Sequence, residues 1–397
     1  MIKSIEFSNY RIFEKKQKLK IAPITMIFGK NNSGKSALLK LPLLIESAFN
    51  TNSAEVFRKK GSNDVTICDD FRDVVYKKGF KSIGIDVQGE SEGATISLNT
   101  SFFVDSNLQP QTILDKWNLS MGDSKFDLAV DESHKLKFAS SNEEVTFDGF
   151  KISEGPIKQE ANAIIDKLNF IDDYIGPFRE LPKRDFRIDD NVDGRSGHSG
   201  INNYSYLVKD SLNVRHPLLD KVSYWYERTF EGWKIEIDKT KAPVYYINLN
   251  NNGISNNILD TGAGIAQSLP IVIAACRDYQ SPVLITLEEP ETHLHPAAHG
   301  ELAQLIAEEA IEFKDKRFLI ETHSLNFIIR MRAMVASGKL RPEDVAMYFV
   351  DFDSDSVTSN LKEVTIEKNG NVKNWPGDKV FNETYSEVIR LRDSSIR

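Results

Sequence analysis

The stretch Phe28 to Lys40, FGKNNSGKSALLK, constrains the fold of this chain more than any other. Gly29, Gly34, Lys35 and Ser36 satisfy the spacing G-x-x-x-x-G-K-S. A random chain of this length would match it on the order of one time in a hundred. Context sharpens the reading. The apolar, β-rich run ITMIF (Ile24 to Phe28) precedes the glycines and predicts a buried strand. Good helix formers follow from near Lys35, with Pro42 expected to kink or interrupt the helix. A strand that turns through glycines into a helix N-terminus presents successive N–H groups to phosphate oxygens, here from Lys30, Asn31, Asn32, Ser33, Gly34, Lys35 and Ser36, with Ala37 opening the helix. In that arrangement Lys35 reaches the β- and γ-phosphates and the Ser36 hydroxyl serves a Mg²⁺ ion.

A phosphate loop alone binds nucleotide; hydrolysis also needs an acid near the metal and a group that positions water. PVLITLEEP (Pro282 to Pro290) is an apolar run ending in Glu288 and Glu289, so both acids are expected at one end of a sheet, where ligands bind in open α/β folds. Glu288 is the candidate for the metal side and Glu289 for polarising water. RFLIETHS repeats the pattern and delivers His323, placed to sense a γ-phosphate. His293 and His295 match no zinc spacing and read as a structural turn before Pro296.

Between these motifs the character changes. SIGIDVQG, ATISLNTSFFV, KLKFAS and EVTFDGF predict short antiparallel strands, and residues 156–170 a short helix. Tyr174 to Gly200 is rich in Gly, Pro and charge and reads as a loop or linker. LDKVSYWYERTF, GIAQSLPIVIAACRDY, AAHGELAQLIAEEAIEF and LNFIIRMRAMVASG read as helices; WKIEIDKT, PVYYINLN, VAMYFVDFD and SNLKEVTIEKNGNV read as strands, with Asn369-Gly370 as a hairpin turn. The alternation predicts an α/β core.

Composition bounds the rest. Of 397 residues, 40% are hydrophobic and 27% charged, and the net charge of −8 argues against a surface coated in nucleic acid while leaving room for one basic groove. The basic clusters EKKQKLK, FRKKG and ELPKRDFR are candidates for that groove, against the plainer reading of a solvated charged face. Cys68 and Cys276 form no CxxC pair, and no apolar run approaches the ~20 residues that span a bilayer, so the expectation is a cytoplasmic protein without a membrane partner.

Taken in order, IEFSNYRIF, GKNNSGKS, YIGPFRE, DTGAGIAQSLPIV, LEEPETHLHP, LIETHS and IEKNGNVKNWPGD resemble the ABC-type ATPase heads of the SMC/RecF/OLD group, and in particular the small bacterial AAA-type ATPases that include anti-phage defence subunits. The resemblance implies an ABC-type P-loop ATPase head: an α/β fold with a mixed sheet, helices and an antiparallel β-rich lobe. It implies ATP and Mg²⁺ as ligands. It puts Glu288 at the metal-side acid, Glu289 at the catalytic base, His323 at the switch histidine and Arg11 near the nucleotide. It puts Asp260 to Gln267 at the signature loop, where Gly262 and Gly264 allow close backbone approach ahead of a helix N-terminus. The glutamine loop of such heads has its candidate in Cys68 to Asp73.

The implied division is 1–85 for an N-terminal ATPase lobe, 86–170 for an insertion, 171–345 for a C-terminal ATPase lobe and 346–397 for a hairpin and tail. A signature loop that works in trans implies a homodimer or larger homo-oligomer with ATP sandwiched between heads. With no coiled coil and no nuclease domain after His323, the resemblance implies an effector acting in trans, a nuclease or toxin. A DNA-binding repair or recombination ATPase is the alternative.

Overall fold

The structure is a computed structural model, and it describes all residues except 62–63, 106–110, 131–135, 139–142, 189–193 and 378–397. In chain order the strands of the first half are β1 (Ile2–Ser8), β2 (Gln17–Lys20), β3 (Ile24–Gly29), β4 (Ile83–Ser91), β5 (Ala94–Asp105), β6 (Gln111–Met121), β7 (Ser124–Val130), β8 (Leu136–Phe138), β9 (Thr146–Asp148) and β10 (Lys151–Glu154). The second half adds β11 (Ile171–Ile175), β12 (Lys234–Lys241), β13 (Val244–Asn251), β14 (Ile254–Asn257), β15 (Val283–Glu288), β16 (Lys316–Glu321), β17 (Val345–Asp353), β18 (Thr358–Ile366) and β19 (Val372–Lys373). The helices are α1 (Lys35–Asn50), α2 (Lys158–Asp166), α3 (Asn202–Ser211), α4 (Pro217–Thr229), α5 (Ala263–Cys276), α6 (Pro296–Glu312) and α7 (Leu325–Ala336).

Two large sheets organise these elements. The first, ordered β2-β1-β4-β5-β6-β7-β8, is antiparallel and contains the meander that the sequence predicts. The second, ordered β11-β15-β16-β3-β17-β18-β19, is parallel from β11 to β17 and turns antiparallel at β18. Strands β3, β15 and β16 are buried at every position. That is what a parallel strand covered on both faces requires, and it explains their unbroken apolar runs.

Helix α1 runs unbroken through Pro42. Most of its residues are buried, including Leu38, Leu39, Leu41, Leu43, Leu44 and Ile45, which join the core of the antiparallel lobe. Burial on this scale, at ~0.8 kcal/mol per methylene, outweighs the one hydrogen bond that proline removes. Helix α5 likewise carries Pro270 within an almost fully buried stretch.

The boundaries drawn from sequence fall unevenly on this architecture. Position 85/86 lies inside β4, and β1 and β2 pair within the antiparallel sheet. Position 170/171 coincides with the start of β11. Position 345/346 lies at the start of β17, which pairs in parallel with β3 over Val345 to Val350, so this strand belongs to the second, largely parallel sheet. The Asn369-Gly370 turn joins β18 to β19, and the following Trp375 stacks on Phe28 with ring centroids 5.5 Å apart. The NG/WP segment thus lies against the strand that leads into the phosphate loop; its remainder, from Asp378, lies outside the described residues.

Candidate active site

The parallel register assembles the site. Glu288 at the end of β15 pairs with Glu321 at the end of β16, and Glu321 pairs with Ile27 of β3, two residues before Gly29. Three strand ends therefore open on one edge, and the N-terminus of α1 rises from the same place.

The two motif glycines are sterically required. Gly29 has φ +155°, and a Cβ there would lie 2.8 Å from the Val350 carbonyl oxygen of β17. Gly34 has φ +101°, and a Cβ there would lie 2.5 Å from the Ile12 side chain. Only glycine meets both demands. Asn32 is left-handed at φ +60°, a conformation asparagine tolerates. Lys35 is 4% exposed; its Nζ donates to the Lys30 carbonyl at 2.9 Å and lies 3.5 Å from Glu321 Oε1. The Ser36 hydroxyl donates to Glu321 Oε2 at 3.1 Å. One carboxylate thus serves both Lys35 and Ser36 of the glycine-shaped loop.

That carboxylate is the functional candidate that sequence reasoning missed. A glutamate inside IETHS looks like the polar end of a strand. Only the order β15-β16-β3, with β16 in the middle, shows that Glu321 faces Ser36. Glu288, the sequence's choice for the metal side, accepts a hydrogen bond from the buried Tyr174 hydroxyl of β11. Burial, reinforced by the Glu321 charge, pushes the Glu288 carboxyl up from 4.5 to about 7. The donors gathered here, two carboxylates and a hydroxyl, are hard oxygens of the kind Mg²⁺ takes beside nucleotide phosphates.

A stability prediction follows from the sign of that shift. A carboxyl raised in the folded state contributes fully below its unfolded value of 4.5, and that contribution is lost as pH rises through about 7. The loss amounts to about 3 kcal/mol at most. Glu288→Gln should therefore flatten the stability of the Mg²⁺-free and nucleotide-free chain between pH 5 and pH 8, read by urea denaturation. An unchanged pH dependence would refute the assignment.

Glu289 and His323 complete the edge. Glu289 sits past the strand end with φ +43°, its N–H donating to the Glu321 carbonyl at 2.9 Å and Thr292 Oγ1 donating to its Oε2 at 3.0 Å. His323 Nε2 lies 3.8 Å from Glu289 and 3.9 Å from Glu321. Glu289, Glu321 and His323 each bring a ligand atom within 4.8 Å of the others. Glu291, also missed from sequence, accepts from Thr322 Oγ1 at 2.8 Å and from the His323 N–H at 2.6 Å, tying the LEEPE turn to the ETHS turn.

Other predicted residues lie around this edge. The Arg11 guanidinium donates to the Ile67 carbonyl and its N–H to the Val74 carbonyl, so it faces the 67–74 segment; its neighbours Ile12 and Tyr10 touch the loop, Ile12 against Gly34 and the Tyr10 hydroxyl on the Ala37 carbonyl at 3.0 Å. Cys68 is buried close to Arg11, and Asp70 caps a short 3₁₀ turn at Phe71–Val74. His295 caps α6 through the Ala297 N–H and His293 occupies a left-handed turn position, consistent with a structural turn.

In the signature region α5 starts at Ala263, one residue before Gly264 rather than after it, with Gly262 as its N-cap. A Cβ on Gly264 would lie 2.3 Å from the His293 carbonyl oxygen. Since that obstacle is backbone, Gly264→Ala should destabilise the fold by about 1–3 kcal/mol in chemical denaturation, outweighing alanine's better helix propensity. A neutral or stabilising result would contradict the close packing of α5 on the Glu291–Leu294 turn.

Residues 219–328 match the family described as AAA ATPase domain (AAA_15), and residues 340–388 match the one described as Protein of unknown function (DUF3696). No curated protein sequence matches the chain. Among solved structures, the chain is similar to an SMC head domain with an extended coiled coil, bound to the C-terminal domain of ScpA and derived from Pyrococcus furiosus. The TM-score is 0.51 at 12% identity, covering 98% of this chain and 99% of that one. It is also similar to an SMC head bound to the C-winged helix domain of ScpA, with TM-score 0.50 and 12% identity over 92% of this chain and 98% of that one. The fold is that of an ABC-type ATPase head of the SMC kind. The head carries its AAA-type match over α4 to the start of α7, which includes the α5 helix, both acidic strand ends and His323. Among the described residues no helix is long and apolar enough to cross a membrane.

Proposed function

We propose that this head binds and hydrolyses ATP, and that two copies sandwich the nucleotide. The observation that carries the reading is the meeting of Lys35, Ser36, Glu321, Glu289 and His323 at one sheet edge, above a glycine-shaped loop and the N-terminus of α1. Lys35 turns from the Lys30 carbonyl to the β- and γ-phosphates, aided by the loop N–H groups. Ser36, Glu321 and Glu288 would hold a Mg²⁺ ion, which would neutralise charge on the phosphate oxygens. Glu289 orients the attacking water and takes its proton. His323, within reach of Glu289, contacts the γ-phosphate and registers its loss. The segment Asp260 to Gln267, with Gly262 at the N-cap of α5, offers its helix N-terminus to the nucleotide of the second copy.

The nucleotide state then sets the assembly, and a partner protein reads it. The two SMC heads of similar fold are each bound to a domain of ScpA, which supports a protein partner here. The resemblance supports a nuclease or toxin effector in anti-phage defence. The DNA reading loses ground to charge pairing: Lys16 is held by Glu6 and Asp86, Lys18 by Glu6, Lys20 by Glu363 and Arg184 by Asp260. These four cations of EKKQKLK and ELPKRDFR are paired with carboxylates of the chain itself, which favours a solvated charged face there. The test is phosphate release at rising protein concentration. A sandwiched site predicts a rate per protomer that climbs with concentration and saturates; a constant rate per protomer from a monomer would overturn the sandwich.

A further inference from the structure

Glu289 is a non-glycine residue at φ +43°, a conformation that costs of the order of 1 kcal/mol or more and persists only where its surroundings impose it. Its N–H is held by the Glu321 carbonyl. Its own carbonyl is held from the other side by Arg179, whose Nη2 and Nη1 donate at 2.9 Å and 3.3 Å. Arg179 comes from the irregular segment after β11, is only 5% exposed, and its Nε has no hydrogen-bond partner among the described residues. Both of its hydrogen bonds there go to this one carbonyl. Burying a guanidinium without a bidentate carboxylate is expensive, so a site that keeps one points to a positional demand.

We infer that Arg179 is a positioning residue for the hydrolytic step: by fixing the Glu289 carbonyl it locks the left-handed turn that aims the Glu289 carboxylate at the nucleotide edge. The segment that carries it is itself anchored, since the Tyr204 hydroxyl donates to the Glu180 carbonyl at 3.2 Å and Arg184 forms a two-pronged pair with Asp260 beside the signature loop. The clamp acts on the backbone of residue 289, and among the described residues Arg179 has no hydrogen bond or ion pair to Gly29–Ser36, so nucleotide affinity should not depend on it. The inference rests on Glu289 as the base.

The test compares Arg179→Ala, Arg179→Lys, Glu289→Gln and the Arg179→Ala/Glu289→Gln pair, with kcat, KM and binding of a fluorescent ATP analogue measured for each. Misaiming the base should lower kcat by about 10- to 100-fold in Arg179→Ala while KM and analogue binding stay within about twofold, and lysine, which supplies one donor, should recover part of the rate. In the Glu289→Gln background the same replacement should cost little further. The inference is overturned if Arg179→Ala keeps the parental kcat, or if it slows the Glu289→Gln chain by the same factor as the parent. If Arg179→Ala does not fold, the same two comparisons are made with Arg179→Lys. If Glu289→Gln itself hydrolyses ATP at the parental rate, the assignment of the base falls, which is a separate result.

Discussion

Lys35→Ala should abolish measurable ATP binding, with affinity falling at least about a hundredfold. Two effects act in the same direction. The variant loses charge-assisted hydrogen bonds to two phosphates, worth about 1.5–3 kcal/mol each, and every 1.4 kcal/mol is tenfold in affinity. It also leaves Glu321, 3.5 Å from the lost ammonium, as an uncompensated carboxylate facing the phosphate site. Isothermal titration with ATP and Mg²⁺ measures the loss, with circular dichroism to show that the fold survives. Tight ATP binding by this variant would remove the phosphate cradle from the account.

Glu289→Gln is the second large effect. Removing a positioned base should slow hydrolysis by about 10² to 10⁴-fold while leaving ATP bound. The side chain is partly exposed and its backbone contacts to Glu321 and Arg179 do not involve the carboxylate, so the fold should be unaffected. Bound ATP that cannot be hydrolysed should accumulate the assembled state. Single-turnover hydrolysis of radiolabelled ATP separates this from a binding defect; normal turnover would place the base elsewhere.

What could be read from sequence was what a strand end announces. ITMIF, PVLITLEE and RFLIETHS are apolar runs that stop at polar residues, and each proved to be a fully buried parallel strand opening on the same edge. Which acid faces which partner depends on strand order, a long-range property: Glu321 reaches Ser36 because β16 lies between β15 and β3. Arg179 lies in a Gly- and Pro-rich stretch with no periodicity, so nothing local marks it as buried. Strand β6 is hidden for a different reason. Its register shifts around Asp115, where Ser101 pairs with Lys116 but Phe102 with Leu114, and that bulge breaks the period-two alternation of QTILDKWNLSM. Ser82 and Ser101 both donate to the bulged Asp115, which holds the irregularity in place. Pro42 does not interrupt α1, because local propensity yields to burial on this scale.

ATP should join two heads across a site that one head cannot complete. This is tested most directly by the solution mass of the Glu289→Gln chain with and without ATP and Mg²⁺, expressed with its neighbouring gene product. The expected result is a protomer of 45.0 kDa without nucleotide and at least twice that mass with it, with the shift lost in Lys35→Ala. Retention of the neighbouring product in the ATP-bound species would support a held effector. A mass that ignores ATP, in a chain shown to bind it, would contradict the sandwich.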